Sequence, residues 1–142
     1  MKLVVHSRPA IETSAPPEEA HVVISITTSA DDVAVLPEAP SRVAVLRLVF
    51  PDADVAVAGI SKDALFGAHH ADRVWDFLEA HRGAHDCVVL HCDAGMSRSP
   101  GVAAALSRVE HGDDTFFFRR YHPNMRVYRT LLESHHARNE QT

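Results

Sequence analysis

Residues 91–99 read His91-Cys92-Asp93-Ala94-Gly95-Met96-Ser97-Arg98-Ser99, a thiol followed six positions later by a guanidinium. When such a loop runs into a helix, successive backbone N–H groups turn inward and the helix N-terminus closes the ring, making a concave site for a tetrahedral oxyanion. Phosphate is the natural guest. Asp93, Ala94, Gly95, Met96, Ser97 and Arg98 then form the phosphate-binding wall. Gly95 permits a backbone turn that a Cβ would obstruct, and the planar fork of Arg98 closes over two phosphate oxygens. Helix-end dipoles and a guanidinium favour the thiolate of Cys92, which makes it a nucleophile. It would attack phosphorus in line, expel an alcohol or phenol, and form a phosphocysteine for water to hydrolyse. Ser99 can donate its hydroxyl to the sulfur, and His91 can hold the loop through its imidazole. The ordinary fates of these residue types are a core cysteine and a surface arginine. The fixed offsets of five residue types within nine positions argue against that outcome.

The loop needs a strand before it and a helix after it. The apolar run from Asp86 to His91 reads as a strand buried on both faces of a sheet, and the Ala-rich stretch Gly101 to Val109 as a helix with Pro100 in its first turn. Val22 to Ile26 and Arg42 to Phe50 are two further β-branched runs, the second punctuated by Pro51-Asp52-Ala53-Asp54. From Ser61 to about Arg82, Leu65, Ala68, Ala71, Trp75 and Leu78 recur at helical steps with Ser61 as N-cap. Asp113 to Tyr121 and Asn124 to about Arg138 read as helices, the latter with Val127, Tyr128, Leu131 and Leu132 inward. Ile11 to Ala20, with Pro16-Pro17, reads as a turn leading into a short helix. The sum is an α/β fold, a mainly parallel central sheet flanked by helices.

The chain has 142 residues, one domain's worth, and 46% apolar with 23% charged residues is an ordinary globular balance. A formal charge of −5 with no basic run argues against nucleic acid as a partner. No segment reaches the ~20 apolar residues of a membrane span, and the run from Met1 to His6 is too short for a signal peptide's core, so the expected location is cytoplasmic. Two cysteines make no disulfide framework, and Cys87 and Cys92, at the two ends of one strand, stand ~17 Å apart, so free thiols are expected. Eleven histidines would reverse the sign of the net charge in mild acid. His69-His70 and His135-His136 are adjacent on helices, where neighbours diverge, so no metal site is expected. Nothing in the sequence speaks to oligomeric state.

The segment HCDAGMSRSP resembles the signature loop of the cysteine-dependent dual-specificity phosphatases, in the protein tyrosine phosphatase superfamily. Pro123-Asn124 in YHPNMRVYRTLLE resembles the PN that opens that family's last helix, and Arg42 to Asp52 resembles the strand and loop that carry its general acid. The likeness spans roughly residues 20 to 135. It implies a sheet of four or five strands flanked by helices, a two-step mechanism, no cofactor and no metal.

A leaving oxygen needs a proton, and a loop carboxylate facing the phosphate can supply it. Asp52 and Asp54 are the candidates. The family's acid follows a strand ending hydrophobic, any, hydrophobic, any, Asp, which Leu48-Val49-Phe50-Pro51-Asp52 matches, so Asp52 is preferred. The alternative is that both carboxylates only stabilise the turn after Pro51. Relatives acting on inositol lipids or RNA ends tend to carry basic residues in the loop, whereas Asp93 follows the nucleophile here, so a highly anionic substrate is disfavoured. The expected substrate is a phosphorylated protein or peptide, phosphotyrosine before phosphoserine or phosphothreonine. Arg119, Arg120 and Arg126 read as solvated helix charges rather than a basic rim, and Cys87 as core rather than a redox partner of Cys92. Two rival readings are a rhodanese-type sulfurtransferase, which also uses a Cys-initiated anion loop, and a non-catalytic phosphopeptide-binding module of the same fold.

Overall fold

Strands apolar on both faces belong in the middle of a parallel sheet with cover on both sides, and β2 (His21–Thr27) and β4 (Cys87–His91) are buried along their whole lengths. In the computed structural model, which describes residues 1–53 and 59–140, these two strands are neighbours. β1 (Lys2–His6) lies beyond β4 and β3 (Arg42–Val49) beyond β2, giving an all-parallel sheet of four strands in the order β1-β4-β2-β3. The edge strands are only partly buried, as edges must be.

The pleat divides the side chains between two unequal layers. Val22, Ile24, Leu48, Val88 and Leu90 face the larger core, which is closed by α2 (Ala68–Ala80), α3 (Arg98–His111) and α5 (Met125–Glu140). Leu106 and Leu131 are fully buried there, and truncating either to Ala would cost about 2–5 kcal/mol. The Trp75 indole N–H donates to the Leu131 carbonyl at 3.0 Å, tying α2 to α5. The opposite face carries Val23, Cys87 and Val89, covered only by Ile11 of α1 (Arg8–Thr13) and by partly buried neighbours such as Leu36. A short α4 (Thr115–Arg120) bridges α3 and α5.

Three readings of the sequence change. β1 was not expected, because Leu3-Val4-Val5 is too brief a run to register as an edge strand. The short helix near residue 11 precedes the prolines instead of following them: Ser7 caps it, its Oγ accepting from the Ala10 N–H at 3.2 Å, and Pro9 sits in the first turn. The helix expected from Ser61 is interrupted. Ser61 caps only a 3-10 turn at Lys62–Ala64, and α2 begins at Ala68. Leu65 and Phe66 are adjacent and both buried, a demand that i, i+1 residues on one helix meet poorly.

Candidate active site

The phosphate-site expectation rests on β4 ending where α3 begins. His91 is the last residue of β4 and Arg98 the first of α3, so residues 92–97 form the connecting loop. Backbone contacts clamp this loop from two sides. On one, the Arg8 N–H donates to the Asp93 carbonyl at 3.0 Å, and Gly95, at φ +71°, lies so close that a Cβ would stand 2.7 Å from Ser7 N and 2.8 Å from the His6 carbonyl carbon. On the other, the His122 N–H donates to Met96 and the Asn124 N–H to Ser97, each at 2.9 Å. The unexpected strand β1 is therefore part of the seat of the loop.

Cys92 is buried at 2% exposure, its sulfur 3.1 Å from Ser99 Oγ and 3.4 Å from the Ser99 N–H. The Ser99 N–H donates to the sulfur, and the Ser99 hydroxyl is placed where it can donate to a thiolate. Arg98 is 4% exposed and held by three acceptors: Nη1 donates to Thr28 Oγ1 and to the Phe50 carbonyl, each at 3.0 Å, and Nη2 to Asp93 Oδ2 at 2.9 Å. Its Nε–H is buried without a partner among the described residues. A guanidinium has five N–H donors in a fixed fork. Among the described residues three are engaged, which leaves Nε–H and one Nη2–H as donors for the oxygens of an oxyanion.

Asp52 lies against the loop, its Oδ1 accepting from Ser97 Oγ at 2.8 Å and from Asn124 Nδ2 at 3.2 Å. Asn124 is also the cap of α5, its Oδ1 accepting from the Val127 N–H at 3.1 Å. Asp54 lies outside the described residues. His91 is fully buried, with Nδ1 3.3 Å from the Cys92 carbonyl and Nε2 2.6 Å from Ser25 Oγ. Burial pushes its imidazole below the ordinary histidine range. For Asp93, burial works against the charge, but the Arg98 hydrogen bond and charge, with a bond from Thr28, hold the carboxyl below its usual range. Asp93, expected in the phosphate-binding wall, thus spends its side chain on Arg98, and Ser97 spends its hydroxyl on Asp52.

No family model and no curated protein sequence matches the chain. Solved structures do. Human DUSP28 superposes with a TM-score of 0.62 at 21% identity, covering 99% of this chain and 95% of its own. The human tyrosine phosphatase-like serine/threonine/tyrosine-interacting protein gives 0.65 at 17%, over 96% and 93% of the two chains. A mouse putative dual specificity phosphatase, crystallised with zinc tungstate, gives 0.62 at 21%, over 98% and 85%. The chain has the dual-specificity phosphatase fold. The likeness extends over β1 and α1, beyond the stretch that the sequence motifs covered.

Within the dual-specificity phosphatase fold, Cys92, Arg98, Ser99, His91 and Asp52 meet at one end of the sheet. The sequence reading missed Thr28 and the Phe50 carbonyl, which aim Arg98. It took Asn124 as a helix opener and not as a partner of Asp52. A polar Thr27-Thr28-Ser29 run directly after a buried strand was the available signal for Thr28. Cys87 and Cys92 are both free, and Cys87 sits in the thinner core at the far end of β4, its thiol pushed up by burial. Arg126 Nε donates to the Phe66 carbonyl at 2.8 Å, and the Arg120 guanidinium lies 5.0 Å from the Tyr121 ring centroid. Among the described residues no helix is long and apolar enough to cross a membrane, and no three His, Cys, Asp or Glu side chains group as a metal site would.

Proposed function

We propose that the protein is a cysteine-dependent phosphatase of protein phosphomonoesters, with phosphotyrosine as the preferred group. The observation that carries the reading is the Arg98 Nε–H, buried without a partner among the described residues, at the end of the loop that begins with a cysteine sulfur flanked by the N–H and hydroxyl of Ser99. A buried guanidinium N–H left without an acceptor is unfavourable by about 1–3 kcal/mol, and a phosphoryl group bound above Cys92 supplies the acceptor.

In the first step the Cys92 thiolate attacks phosphorus, an S–P bond forms, and the P–O bond to the substrate breaks opposite it. Asp52 donates a proton to the departing oxygen. Ser97 and Asn124 both engage Oδ1, which leaves Oδ2 to carry that proton. In the second step water attacks the phosphocysteine and Asp52, now a carboxylate, takes the water proton. The S–P bond breaks and the sulfur leaves as a thiolate that accepts from Ser99. Arg98 accompanies the phosphoryl oxygens through both steps, its remaining N–H groups fixed on Thr28, Phe50 and Asp93.

Asp93 and Asp52 bring two carboxylates to a loop whose anchored cation is Arg98. That balance suits a single phosphate and opposes a cluster of them. Hydrolysis of an aryl phosphate in the presence of EDTA tests the reading. Cys92→Ser should abolish turnover, and Asp52→Asn should lower kcat by about 10²–10⁴-fold. A wild-type protein that binds vanadate but does not turn over aryl phosphate or phosphotyrosine peptide would refute catalysis. Turnover of thiosulfate in place of phosphate would favour sulfur transfer.

A further inference from the structure

Parallel pairing aligns one residue from each strand in a single row just below the catalytic loop. His6 pairs with His91, His91 with Ser25, and Ser25 with Arg47, so the row crosses all four strands in spatial order. Side chains at paired positions share a face of the sheet, here the thinner one covered by α1. Two of the three neighbouring pairs in this row meet through their side chains. Ser25 Oγ lies 2.6 Å from His91 Nε2, and Arg47 Nη1 lies 3.4 Å from the same Oγ while donating to the Ala34 carbonyl at 3.1 Å.

We propose that Ser25 and Arg47 are positioning residues for the nucleophile, holding the His91 imidazole as its Nδ1–H tautomer on the Cys92 carbonyl. The donors and acceptors allow one assignment. A carbonyl oxygen only accepts, so His91 Nδ1, 3.3 Å from the Cys92 carbonyl, must carry a hydrogen. A neutral imidazole then has an acceptor at Nε2. The Ser25 hydroxyl therefore donates to Nε2 and presents its lone pairs to Arg47, whose N–H groups can only donate. The charged groups around the ring are Arg8 and Arg47, which oppose its protonation, and Asp93, which favours it, with Glu12 of α1 also within its field. Burial adds to the two cations, and the ring stays neutral.

The consequence reaches the phosphate site through one peptide group. No cis peptide occurs among the described residues, so the Cys92 carbonyl and the Asp93 N–H point in opposite directions. Fixing the carbonyl on the imidazole fixes the Asp93 N–H, and with it the first turn of the loop after the sulfur. Arg47 and Ser25 stand 45 and 67 residues before the nucleophile, and nothing in their spacing marks them.

The kinetic part of the test rests on the phosphatase reading; the spectroscopic and alkylation parts do not. Ser25→Thr and Ser25→Val add the same volume to a buried position and differ only in the hydroxyl. Thr should keep kcat near wild type, whereas Val should lower kcat by about tenfold or more with little change in KM. Arg47→Met should fall between them, because Ser25 remains. Long-range 1H–15N spectra of histidine-labelled protein at pH 7 should show His91 as the neutral Nδ1–H form in wild type and Ser25→Thr, and lose it in Ser25→Val. Iodoacetamide should alkylate Cys92 more slowly in Ser25→Val than in Ser25→Thr. A purely structural Ser25 would predict equal kinetics and alkylation for the two variants below their melting temperatures, and that result overturns the proposal, as does an Nε2–H or doubly protonated His91 in wild type. Should the protein hydrolyse no phosphoester, the tautomer and alkylation results still decide the role of the row.

Discussion

Replacing Gly95 with Ala isolates how tightly the 92–97 loop is seated on the first strand. Two penalties combine. The backbone at φ +71° is unfavourable for an L side chain by about 1–2 kcal/mol. The added Cβ would lie 2.7 Å from Ser7 N and 2.8 Å from both the carbonyl carbon and oxygen of His6. Ordinary carbon contacts begin near ~3.5 Å, so the loop and the β1–α1 junction must part by about 0.7 Å. These are backbone atoms that cannot rotate away, and overpacking of this kind costs about 1–3 kcal/mol. Gly83→Ala is the control: its φ is +81°, and a Cβ there meets nothing within 4 Å, so it carries the conformational penalty without the clash. The lower unfolded-state entropy of Ala is common to both variants and cancels in the comparison. Thermal unfolding should place Gly83→Ala about 5 °C below wild type and Gly95→Ala a further 5–10 °C below that. Measured where both variants are folded, aryl phosphatase activity should be near wild type for Gly83→Ala and reduced about 10²-fold for Gly95→Ala, since a displacement approaching an ångström is enough to spoil alignment. Equal melting temperatures and equal activities for the two variants would refute the idea that the β1–α1 junction holds the loop.

Three further outcomes, at Asp93 and His70, depend on pH and charge. The Asp93 carboxyl is held below its usual range by Arg98 and Thr28 against the opposing effect of burial, so the folded state prefers its charged form; the stability this brings is complete above the ordinary carboxylate range and is lost as pH falls through the folded value. Urea unfolding of Asp93→Asn should therefore show a flatter acid limb than wild type, and the same variant should improve kcat/KM for a doubly phosphorylated peptide relative to a singly phosphorylated one. His70, whose Nδ1 accepts from the Gly67 N–H at 2.9 Å, is pushed down to about 4 by burial and by the neighbouring His69. The unfolded chain binds the proton first, so stability should decline from about pH 6.5 to about pH 4, by at most about 3 kcal/mol from this group, and no further below that. In His70→Gln the amide oxygen can accept from the same N–H, and urea midpoints at about pH 7 and 4.5 should differ less than in wild type; an unchanged difference would assign the acid sensitivity to other groups.

How much of this was legible in the sequence follows from how local each feature is. Cys92, Arg98 and Ser99 lie within one run of nine residues, and the strand and helix that flank them declare themselves by a dense apolar stretch and an Ala-rich one. Gly95 was identified as a position where a Cβ would obstruct, and the obstruction proved to come from β1, a strand the sequence hid because its apolar run is three residues long. Asp52 was reachable because the apolar run ending at Phe50 stops two residues before it, although its partners Ser97 and Asn124 are 45 and 72 residues away. The break between the 3-10 turn and α2 escaped the periodicity because Leu65 satisfies a helical stripe and an irregular buried plug equally well. The side-chain fate of Asp93 was the least legible, since its place in the wall was read from the backbone, and Thr28 and Arg98, which claim the carboxylate, lie 65 residues before it and five after it.

The two arginines near the loop show why the geometry of the site is coupled to the fold as a whole. Arg98 begins α3, yet its acceptors come from the ends of β2 and β3 and from the loop itself, through Thr28, Phe50 and Asp93. Arg8 begins α1, donates its backbone N–H to Asp93, and commits its side chain to Asp32 and Glu12. Glu12 in turn accepts from the Val35 N–H at 2.8 Å, which fastens the segment after β2 over the same face that carries His91, Ser25 and Arg47. Arg98 is thus aimed largely by segments other than its own. A substitution that loosens the 31–36 segment should therefore reduce turnover before it unfolds the sheet, because the larger core of α2, α3 and α5 lies on the opposite face and takes no residue from that segment, whereas β1 packs Leu3 and Val5 against it.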